Sequence, residues 1–448
     1  MSAVAWGIFL FVSTFIAIPI SGSGSPWTYM SATFRPGNES VMLHHMLVDQ
    51  VTGRVYVGAS NWIFQLNANL EKETQLETGP HMDSPLCTAT SCSDDKVTKV
   101  PTNNVNKVLV IDYDSRTLIV CGSVFQGACH KLRLDNISHA AEFINVPVAA
   151  NDDMSSTFAF IGPENYLVDQ KKVLYVGSTF TNNGPYRDLV PAIASRHLRN
   201  LDLAELGFSS QPKMDIDSRW RDYFRVKYKY GFFSETHAYF VTVQRKSHLP
   251  AYEEDGYVTR LARVCANDPK YHTYIEVTLQ CLVERGGGAG DATPVDYNIL
   301  QDAVVVHAGE TLSTSLGVMR GDPVLIAVFA PSVSHTTETH EASAMCIYSL
   351  QEIEQKFTEN THMCFNGSVR SRNMEYVAGS PGECPLAGSA GNIFNFCDAD
   401  LKISGSAPIS TIASLVYPNV SIVALTAAVT NPHTVVFLGT DDGYLKKG

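Results

Sequence analysis

The stretch that decides the fold is Arg54-Val-Tyr-Val-Gly-Ala-Ser-Asn-Trp-Ile-Phe-Gln-Leu66, in which one apolar run ends at small residues and a second run follows. Alternating runs on either side of such a turn are typical of a β-hairpin. The same pattern recurs at residues 117–134 and 434–446, with weaker copies at residues 172–178, 238–264 and 324–349. The sequence therefore predicts hairpins spread over the whole chain.

Regular repetition of hairpins predicts an all-β fold in which four-stranded blades repeat around an axis, the β-propeller. Two separate sandwiches are the competing architecture, but no Pro- or Ser-rich linker divides the chain. Helical signal is scarce. The best candidate covers residues 349–357, where Ser349 can cap the helix and Glu352 lies three residues later.

A segment at about residues 350–406 predicts an insertion in the propeller. Its later part is rich in Gly, Ser and Asn and contains three of the ten cysteines. Such a composition favours a segment that projects from the propeller and is held by its own disulfides rather than by a core.

The N-terminus has the features of a secreted protein. An apolar run from Ala5 to Ile20 is followed by small residues, so residues 1–24 are predicted to be a signal peptide. An even number of cysteines fits an oxidising compartment, and their spacing lacks the pairs of a zinc finger. The cysteines are Cys87, Cys92, Cys121, Cys129, Cys265, Cys281, Cys346, Cys364, Cys384 and Cys397. Predicted glycosylation sites, each Asn-x-Ser, are Asn38, Asn136, Asn366 and Asn419.

Charge and motifs argue against nucleic-acid binding and against catalysis. The formal net charge of -12 disfavours a partner held through its phosphates. The glycine run at residues 286–291 lacks the ending of a phosphate loop, and His340-Glu341 lacks the second His of a zinc protease. Asp441-Asp442-Gly443 is more typical of a hairpin turn than of a calcium loop. We expect no enzyme activity, no metal and no cofactor.

Several segments resemble the sema domains of plexins. The most specific is Cys121-Gly-Ser-Val-Phe-Gln-Gly-Ala-Cys129 with the later Leu132-Arg-Leu134, which differs from the Cys-Gly-Thr-Asn-Ala-Phe usual in semaphorins. Further similar segments cover residues 263–281, 343–346 and 436–447. Residues 191–196 look weakly more like A-type than B-type plexins. The resemblance runs from about Phe34 to the final Lys.

The resemblance implies a seven-bladed propeller over residues 25–448 that is truncated within or before its last blade. It also implies disulfides that spacing alone leaves open. The pairs are Cys87–Cys92, Cys121–Cys129, Cys265–Cys397, Cys281–Cys346 and Cys364–Cys384.

The function implied is that of the extracellular ligand-binding region of a cell-surface receptor for semaphorins, in axon guidance and cell migration. The ligand would be dimeric, with a co-receptor or receptor self-association possible. The protein would follow the secretory pathway to the surface of a single-pass receptor, and membrane attachment would come only from regions absent from this chain.

Two turn-rich stretches predict ligand contacts, because binding residues concentrate on loops that carry aromatic and Arg side chains. Residues 179–188 contain Tyr186 and Arg187, and residues 203–221 contain Phe208 and Lys213. Buried or merely solvated loop residues are the competing interpretation of both stretches.

Three other classes remain open. A semaphorin-like ligand would be distinguished by the domains that come after its propeller. A scatter-factor-type receptor typically has a furin site, and no Arg-x-Lys/Arg-Arg run occurs. A secreted propeller enzyme would need acidic or His residues that converge in a central channel.

Overall fold

The computed structural model describes residues 32–37, 41–91, 96–164, 171–204, 211–284, 293–368, 374–379, 384, 386, 396–398, 401–430 and 432–448. The predicted signal peptide and the glycine run at residues 286–291 lie outside them. Within the described residues the fold is an all-β propeller, as predicted. The competing architecture of two separate sandwiches is not observed in the described residues.

Four consecutive antiparallel strands form each of the first four blades. The first contains β1 (Leu43–Val48), β2 (Val55–Ala59), β3 (Trp62–Leu66) and β4 (Lys72–Glu77). A small two-stranded sheet of β5 (His81–Asp83) and β6 (Val100–Thr102) precedes the second, which contains β7 (Asn106–Asp112), β8 (Thr117–Gly122), β9 (Cys129–Arg133) and β10 (Glu142–Ile144). The third contains β11 (Thr157–Pro163), β12 (Lys172–Ser178), β13 (Ile193–His197) and β14 (Lys213–Met214).

The fourth blade contains β15 (Lys227–Ser234), β16 (His237–Arg245), β17 (Tyr257–Cys265) and β18 (Tyr274–Val283), and the short β19 (Val295–Asp296) extends its edge. The fifth combines β20 (Ile299–His307), β21 (Pro323–Ala330), β22 (Ser343–Ser349) and β25 (Leu415–Tyr417), with the short helix α1 (Glu310–Leu316) in its first loop. A last sheet has three strands, β26 (Ile422–Val429), β27 (Thr434–Thr440) and β28 (Leu445–Lys447).

The predicted insertion separates the third and fourth strands of the fifth blade. It begins with α2 (Leu350–Phe365) and contains β23 (Lys402–Ser404) and β24 (Ile409–Ile412), which both pair in parallel with β18 of the fourth blade. Ser349 caps α2, since its Oγ accepts a hydrogen bond from the Glu352 N–H at 3.4 Å. The predicted cap is therefore present, and the helix extends beyond residue 357.

The parts of the insertion that the structure describes pack against the blades. Ile353 and Phe357 of α2 lie in the same apolar core as β16 and β21. Tyr376 and Val377 lie in a second core, together with Phe224 and Tyr228 between the third and fourth blades. The expectation of a segment held by disulfides without a core was wrong for Tyr376 and Val377, because the blade surfaces pack against apolar side chains that are too sparse to show a period in the sequence.

Polar side chains join each blade to the backbone at the start of the next. The Asn61 N–H donates to the Asn104 carbonyl, and Asn61 Oδ1 accepts the Asn104 N–H at 2.7 Å. Buried Lys107 donates to the carbonyls of Asp153 and Ser155. We call these contacts, and those in the next paragraph, the junction bonds.

The later junction bonds use hydroxyl groups. Thr179 Oγ1 donates to the Val226 carbonyl at 2.7 Å. Thr259 Oγ1 donates to the Asn298 carbonyl and accepts the Leu300 N–H. Ser343 repeats this arrangement with the Val420 carbonyl and the Ile422 N–H. Hydroxyls suit this position because one group can both donate and accept.

Candidate protein-binding surface

Three loops of the third and fourth blades form one surface. They are residues 179–192 between β12 and β13, residues 215–226 between β14 and β15, and residues 246–256 between β16 and β17. In a blade of four antiparallel strands, the loop after the second strand and the connection from the fourth strand to the next blade lie on the same face of the propeller. The topology therefore brings residues 179–188 of the first predicted contact stretch and residues 215–221 of the second to one rim of the propeller.

Arg221 joins the first two loops directly. Its Nη1 lies 2.5 Å from Asp188 Oδ1, and its guanidinium lies 5.1 Å from the centre of the Phe180 ring. The ion pair by itself adds little stability, since the Asp188 side chain is 78% exposed. Its effect is to fix the position of an arginine that is close to an aromatic face.

The third loop adds another arginine with aromatic neighbours. The Arg245 guanidinium lies 4.4 Å from the centre of the Tyr223 ring and 5.2 Å from that of Tyr257. Its Nη2 lies 3.1 Å from Glu253 Oε1. The exposed Arg219 lies over the Trp220 ring at 6.0 Å. We name the set of Phe180, Arg219, Trp220, Arg221, Tyr223 and Arg245 the Arg–aromatic surface.

Several donors of the Arg–aromatic surface have no hydrogen-bond partner among the described residues. They are Trp220 Nε1, the Tyr223 hydroxyl, and Nε of both Arg221 and Arg245. These donor atoms are buried within the loops, so they are not themselves open to a second molecule. Trp, Tyr and Arg are also the residue types that dominate the energy of protein interfaces.

Hydrogen bonding and burial set the protonation states of the titratable groups at and beside this surface. Hydrogen bonds from Arg219 hold the pKa of the Asp217 carboxyl below its ordinary value. Burial raises the pKa of the Tyr223 hydroxyl and lowers that of Lys227. At neutral pH Asp217 is thus ionised and Tyr223 is a neutral donor.

The four residues predicted to contact a ligand have different placements. Tyr186 is half-buried, and Lys213 is exposed with its Nζ 3.9 Å from Asp215 Oδ2. Arg187 is only 2% exposed, and its guanidinium donates to the carbonyls of Gln126 and Ala149. Arg187 therefore anchors its loop to the interior through these hydrogen bonds, and its charge is not exposed at the surface. Phe208 lies outside the described residues.

Sequence reasoning missed Tyr223 and Arg245. Tyr223 lies two residues beyond Arg221 and so just outside a stretch that was singled out, whereas Arg245 lies at the end of β16, well beyond both stretches. Arg245, followed by a loop with Pro250 and Tyr252, carried the same signal as the chosen loops. Only the fold shows that this loop reaches the same rim.

Disulfides join the cysteines in the pairs that the resemblance implies wherever both partners are described: Cys121–Cys129, Cys265–Cys397, Cys281–Cys346 and Cys364–Cys384. Cys87 is also disulfide-bonded, and Cys92 lies outside the described residues. The bond from Cys265 to Cys397 links β17 to the insertion. Cys121 and Cys129 face each other across the β8–β9 pair and close the loop that carries Gln126.

The predicted glycosylation sites in the described residues are accessible. Asn136, Asn366 and Asn419 are exposed. The side-chain oxygens of Asn136 and Asn366 accept hydrogen bonds from the N–H groups of Ser138 and Ser368. Asn38 lies outside the described residues.

One group of potential metal ligands occurs in the described part of the chain, namely His237, Cys265 and Cys397. The two cysteines are bonded to each other, so neither offers a thiolate. Burial lowers the pKa of His237 to about 3. The cluster is consistent with a disulfide that packs against a neutral histidine.

The central channel is a cavity of about 1390 Å³ lined mainly by β1, β7 and β11. Its titratable side chains have structural partners. His45 Nδ1 lies 2.8 Å from Asn106 Oδ1, and Lys107 forms the junction bonds described above. Asp112 accepts hydrogen bonds from the N–H groups of Asp114 and Ser115 at a strand end. This is not the convergence of acidic and His residues that a propeller enzyme would need.

Among the helices that the structure describes, none has the length and apolar character to cross a membrane.

Comparison with known proteins shows which proteins this chain is similar to. The Sema domain profile matches residues 300–448. Human Plexin-A2 is 29% identical over 436 residues, which are 93% of this chain and 22% of that protein. The chain thus spans about a fifth of the length of this curated relative.

Solved structures agree on the fold. The Plexin A4 full extracellular region superimposes with a TM-score of 0.76 and 27% sequence identity, covering 90% of this chain and 44% of the other. A chain from the complex of Drosophila Plexin A with Semaphorin 1b gives a TM-score of 0.54 and 14% identity, covering 92% of this chain and 74% of the other, which shows the fold alone. The resemblance to plexin sema domains drawn from the Cys121 segment is therefore confirmed, and the likeness to plexins covers 90% or more of this chain.

Proposed function

We propose that this chain is the extracellular ligand-binding region of a plexin-type cell-surface receptor for semaphorins, which acts in axon guidance and cell-migration signalling. The observation that carries the proposal is the likeness to the Plexin A4 extracellular region over 90% of this chain. The function is binding rather than catalysis, as in the plexin sema domains that it resembles.

The Arg–aromatic surface is our candidate for the ligand contact. It combines two Arg–aromatic pairs, at 4.4 and 5.1 Å, with the exposed Arg219. A partner that offers carboxylates or carbonyl oxygens would pair with this arginine and exclude water from the rings. The acidic chain as a whole would bind such a partner only through a local concentration of arginines.

Binding of a panel of semaphorin ectodomains to cells that display the receptor tests the function. At least one semaphorin should bind in a saturable manner. Cells displaying a human Plexin-A2 ectodomain provide the positive control for each ligand. If the displayed receptor is folded, as judged by antibody staining and secretory-pathway glycosylation, and no semaphorin binds, the proposed function is wrong.

A charge reversal locates the contact. Arg219→Glu should weaken semaphorin binding by at least about tenfold, because it places a carboxylate where the partner's acceptors would lie. The Arg219 side chain is 63% exposed, so the change should leave folding intact. Lys72→Glu, on the exposed edge strand of the first blade, is the matched control. Equal losses in both variants would count against the Arg–aromatic surface.

The proposed domain organisation has residues 1–24 as a signal peptide and residues 25–448 as the sema propeller, with an insertion at about residues 350–406. Seven blades would place one more blade between β26 and β1. Mass spectrometry of the secreted protein would reveal its mature N-terminus, and a start before residue 20 would contradict the signal peptide.

Assembly at the cell surface is the last part of the proposal. A dimeric semaphorin would bring two receptors together, with a co-receptor or receptor self-association as further contributions, at the surface of a single-pass membrane protein whose membrane segment is outside this chain. Comparing monomeric with dimeric semaphorin in a receptor-clustering assay tests this. Equal clustering by both forms would contradict ligand-driven dimerisation.

A further inference from the structure

The loop between β16 and β17 carries an exposed tyrosine in an acidic setting. Tyr252 is 54% exposed, and the acidic run Glu253-Glu254-Asp255 follows it directly. All residues from 250 to 255 are exposed. The Tyr252 hydroxyl has no hydrogen-bond partner among the described residues. An enzyme can therefore reach this hydroxyl without displacing a neighbouring side chain.

The acidic run is neutralised only in part. Glu253 Oε1 lies 3.1 Å from Arg245 Nη2. Neither Glu254 nor Asp255 forms an ion pair with a described residue, and residues 247–259 contain no Lys or Arg. The tip of the loop thus presents negative charge that attracts a protein with a basic cleft.

The backbone of this tip can change its conformation while the strands beneath it stay paired. Residues Pro250–Asp255 form a 3-10 turn that is interrupted at Tyr252, whose φ of -114° and ψ of 27° are not helical. None of the residues in the turn is buried. The Lys246 N–H donates to the Gly256 carbonyl at 2.9 Å and closes the base of the loop. Segments with few buried contacts open locally at low free energy, so Tyr252 can enter an active site while the blade remains intact.

Two further tyrosines of the described residues are exposed, and neither combines these features. Tyr113 also has acidic neighbours and is 44% exposed, but its hydroxyl accepts the Gln50 N–H at 3.1 Å. Tyr444 is 69% exposed, but Lys446 and Lys447 follow it and offset the acidic residues before it. Among the described tyrosines, an exposed ring with an unoccupied hydroxyl and a net acidic surrounding is specific to the loop between β16 and β17.

We propose that Tyr252 is O-sulfated by a tyrosine sulfotransferase of the secretory pathway, an enzyme class that acts on exposed tyrosines beside acidic residues. The inference rests on the proposed passage of the chain to the cell surface. The phenol oxygen attacks the sulfur of a nucleotide phosphosulfate, its proton passes to a base of the transferase, and the bond from sulfur to the phosphate oxygen breaks. The sulfate ester adds a negative charge to the rim that carries the Arg–aromatic surface.

Metabolic labelling with radioactive sulfate tests the proposal in animal cells that express the full chain. After enzymatic removal of N-linked glycans, which can also carry sulfate, the tryptic peptide of residues 247–260 should contain the label. The label should be lost in Tyr252→Phe and retained in the matched variant Tyr444→Phe. An unlabelled wild-type peptide, or label that persists in Tyr252→Phe, would overturn the proposal.

A charge reversal tests recognition through the acidic run. Glu254→Lys should lower the label on the peptide that contains Tyr252 by at least about threefold, because it opposes a basic cleft. Glu77→Lys, at an exposed position of β4 in the first blade, is the control and should leave the label unchanged. Equal labelling of both variants would contradict recognition through the acidic run.

The glycans of the same chains separate this proposal from the proposed function. N-linked glycans that resist endoglycosidase H show that a chain has passed through the Golgi. Unlabelled Tyr252 on such chains would overturn the sulfation and leave the proposed receptor function in place. Glycans that stay sensitive would contradict passage to the cell surface, and the sulfation with it.

Discussion

Asp302 is a residue whose ionisation is strongly affected by burial in the ring. It lies at the bulge of β20, and its carboxylate accepts the N–H groups of Ala303 in its own strand and Leu425 in β26. Burial raises its pKa to about 6, with Lys229 acting in the opposite direction. The carboxyl therefore joins two sheets, but at a desolvation cost when it is charged.

Stability should depend on pH through this group. Because its folded pKa is above its ordinary value, the ionised form is disfavoured in the folded state, and its cost falls as pH decreases through 6 toward 4. Relative to Asp302→Asn, which does not titrate, the wild-type protein should gain between about 1 and 3 kcal/mol in free energy of unfolding from pH 7.5 to pH 4. Denaturant unfolding of both proteins at several pH values measures the difference, and a flat difference would contradict the assignment.

Ser343 shows how much one hydroxyl contributes to a junction bond. The residue is fully buried, and Ser343→Ala leaves the Ile422 N–H and the Val420 carbonyl without their partner. We expect a loss of about 1 to 3 kcal/mol in the free energy of unfolding, measured by denaturant titration. Ser315→Ala, in the exposed part of α1, removes a hydroxyl that bonds only within its own helix and should cost under about 0.5 kcal/mol. Equal losses in the two variants would show that this junction bond contributes no more stability than a hydroxyl that bonds within its own helix.

Helix α2 is one of the elements that connect the insertion to the blades. Glu354 Oε2 lies 2.6 Å from Arg263 Nη1 of β17, and the Arg263 guanidinium lies 4.4 Å from the centre of the Phe357 ring. Phe357 is fully buried beside Tyr239. The helix is thus held by apolar packing and by a partly buried ion pair, in addition to the disulfide of Cys364.

Phe357→Ala should destabilise the protein by about 3 to 5 kcal/mol, because it leaves a cavity between α2 and the fourth blade. Thermal unfolding followed by circular dichroism measures the loss. Phe143→Ala provides the matched control, since Phe143 is 42% exposed, and should cost about 1 kcal/mol or less. If the two variants lose similar stability, the insertion does not depend on this contact.

The strands that sequence patterns predicted are the buried middle strands of the blades. The pairs β2–β3, β8–β9, β16–β17 and β21–β22 correspond to the predicted hairpins, and β16 and β17 are buried on both faces. First and fourth strands were missed for physical reasons. β4 is polar and largely exposed, and β10 has only three residues. The parallel pairing of β23 and β24 with β18 joins residues more than a hundred positions apart, so no local pattern can predict it.

The Arg–aromatic surface, like the strands, was predictable only in part from the sequence. Composition identified its first two loops, because Arg and aromatic residues in turn-rich stretches are visible in the sequence. Their contact through Arg221 and Asp188, and the burial of Arg187, depend on the packing of neighbouring blades.

Across the whole molecule, stability should decrease toward the last sheet. The strands β16 and β17 are buried almost throughout, whereas several side chains of β26 are exposed. Amide hydrogen exchange should therefore be faster in β26, β27 and β28 than in β16 and β17, by at least about tenfold. Exchange followed by mass spectrometry of peptides from each blade provides the measurement. Uniform protection would show that the ring opens only as one unit.

The junction bonds have a direction along the chain. In each, a side chain earlier in the sequence bonds to backbone that comes later, from Asn61 with Asn104 to Ser343 with Ile422. A ribosome produces the chain in the same direction, and N-terminal parts fold first during synthesis. Each blade that emerges therefore meets a preceding blade whose bonding group is already present. The order of translation and the order of assembly coincide, so the growing protein can add blades one at a time.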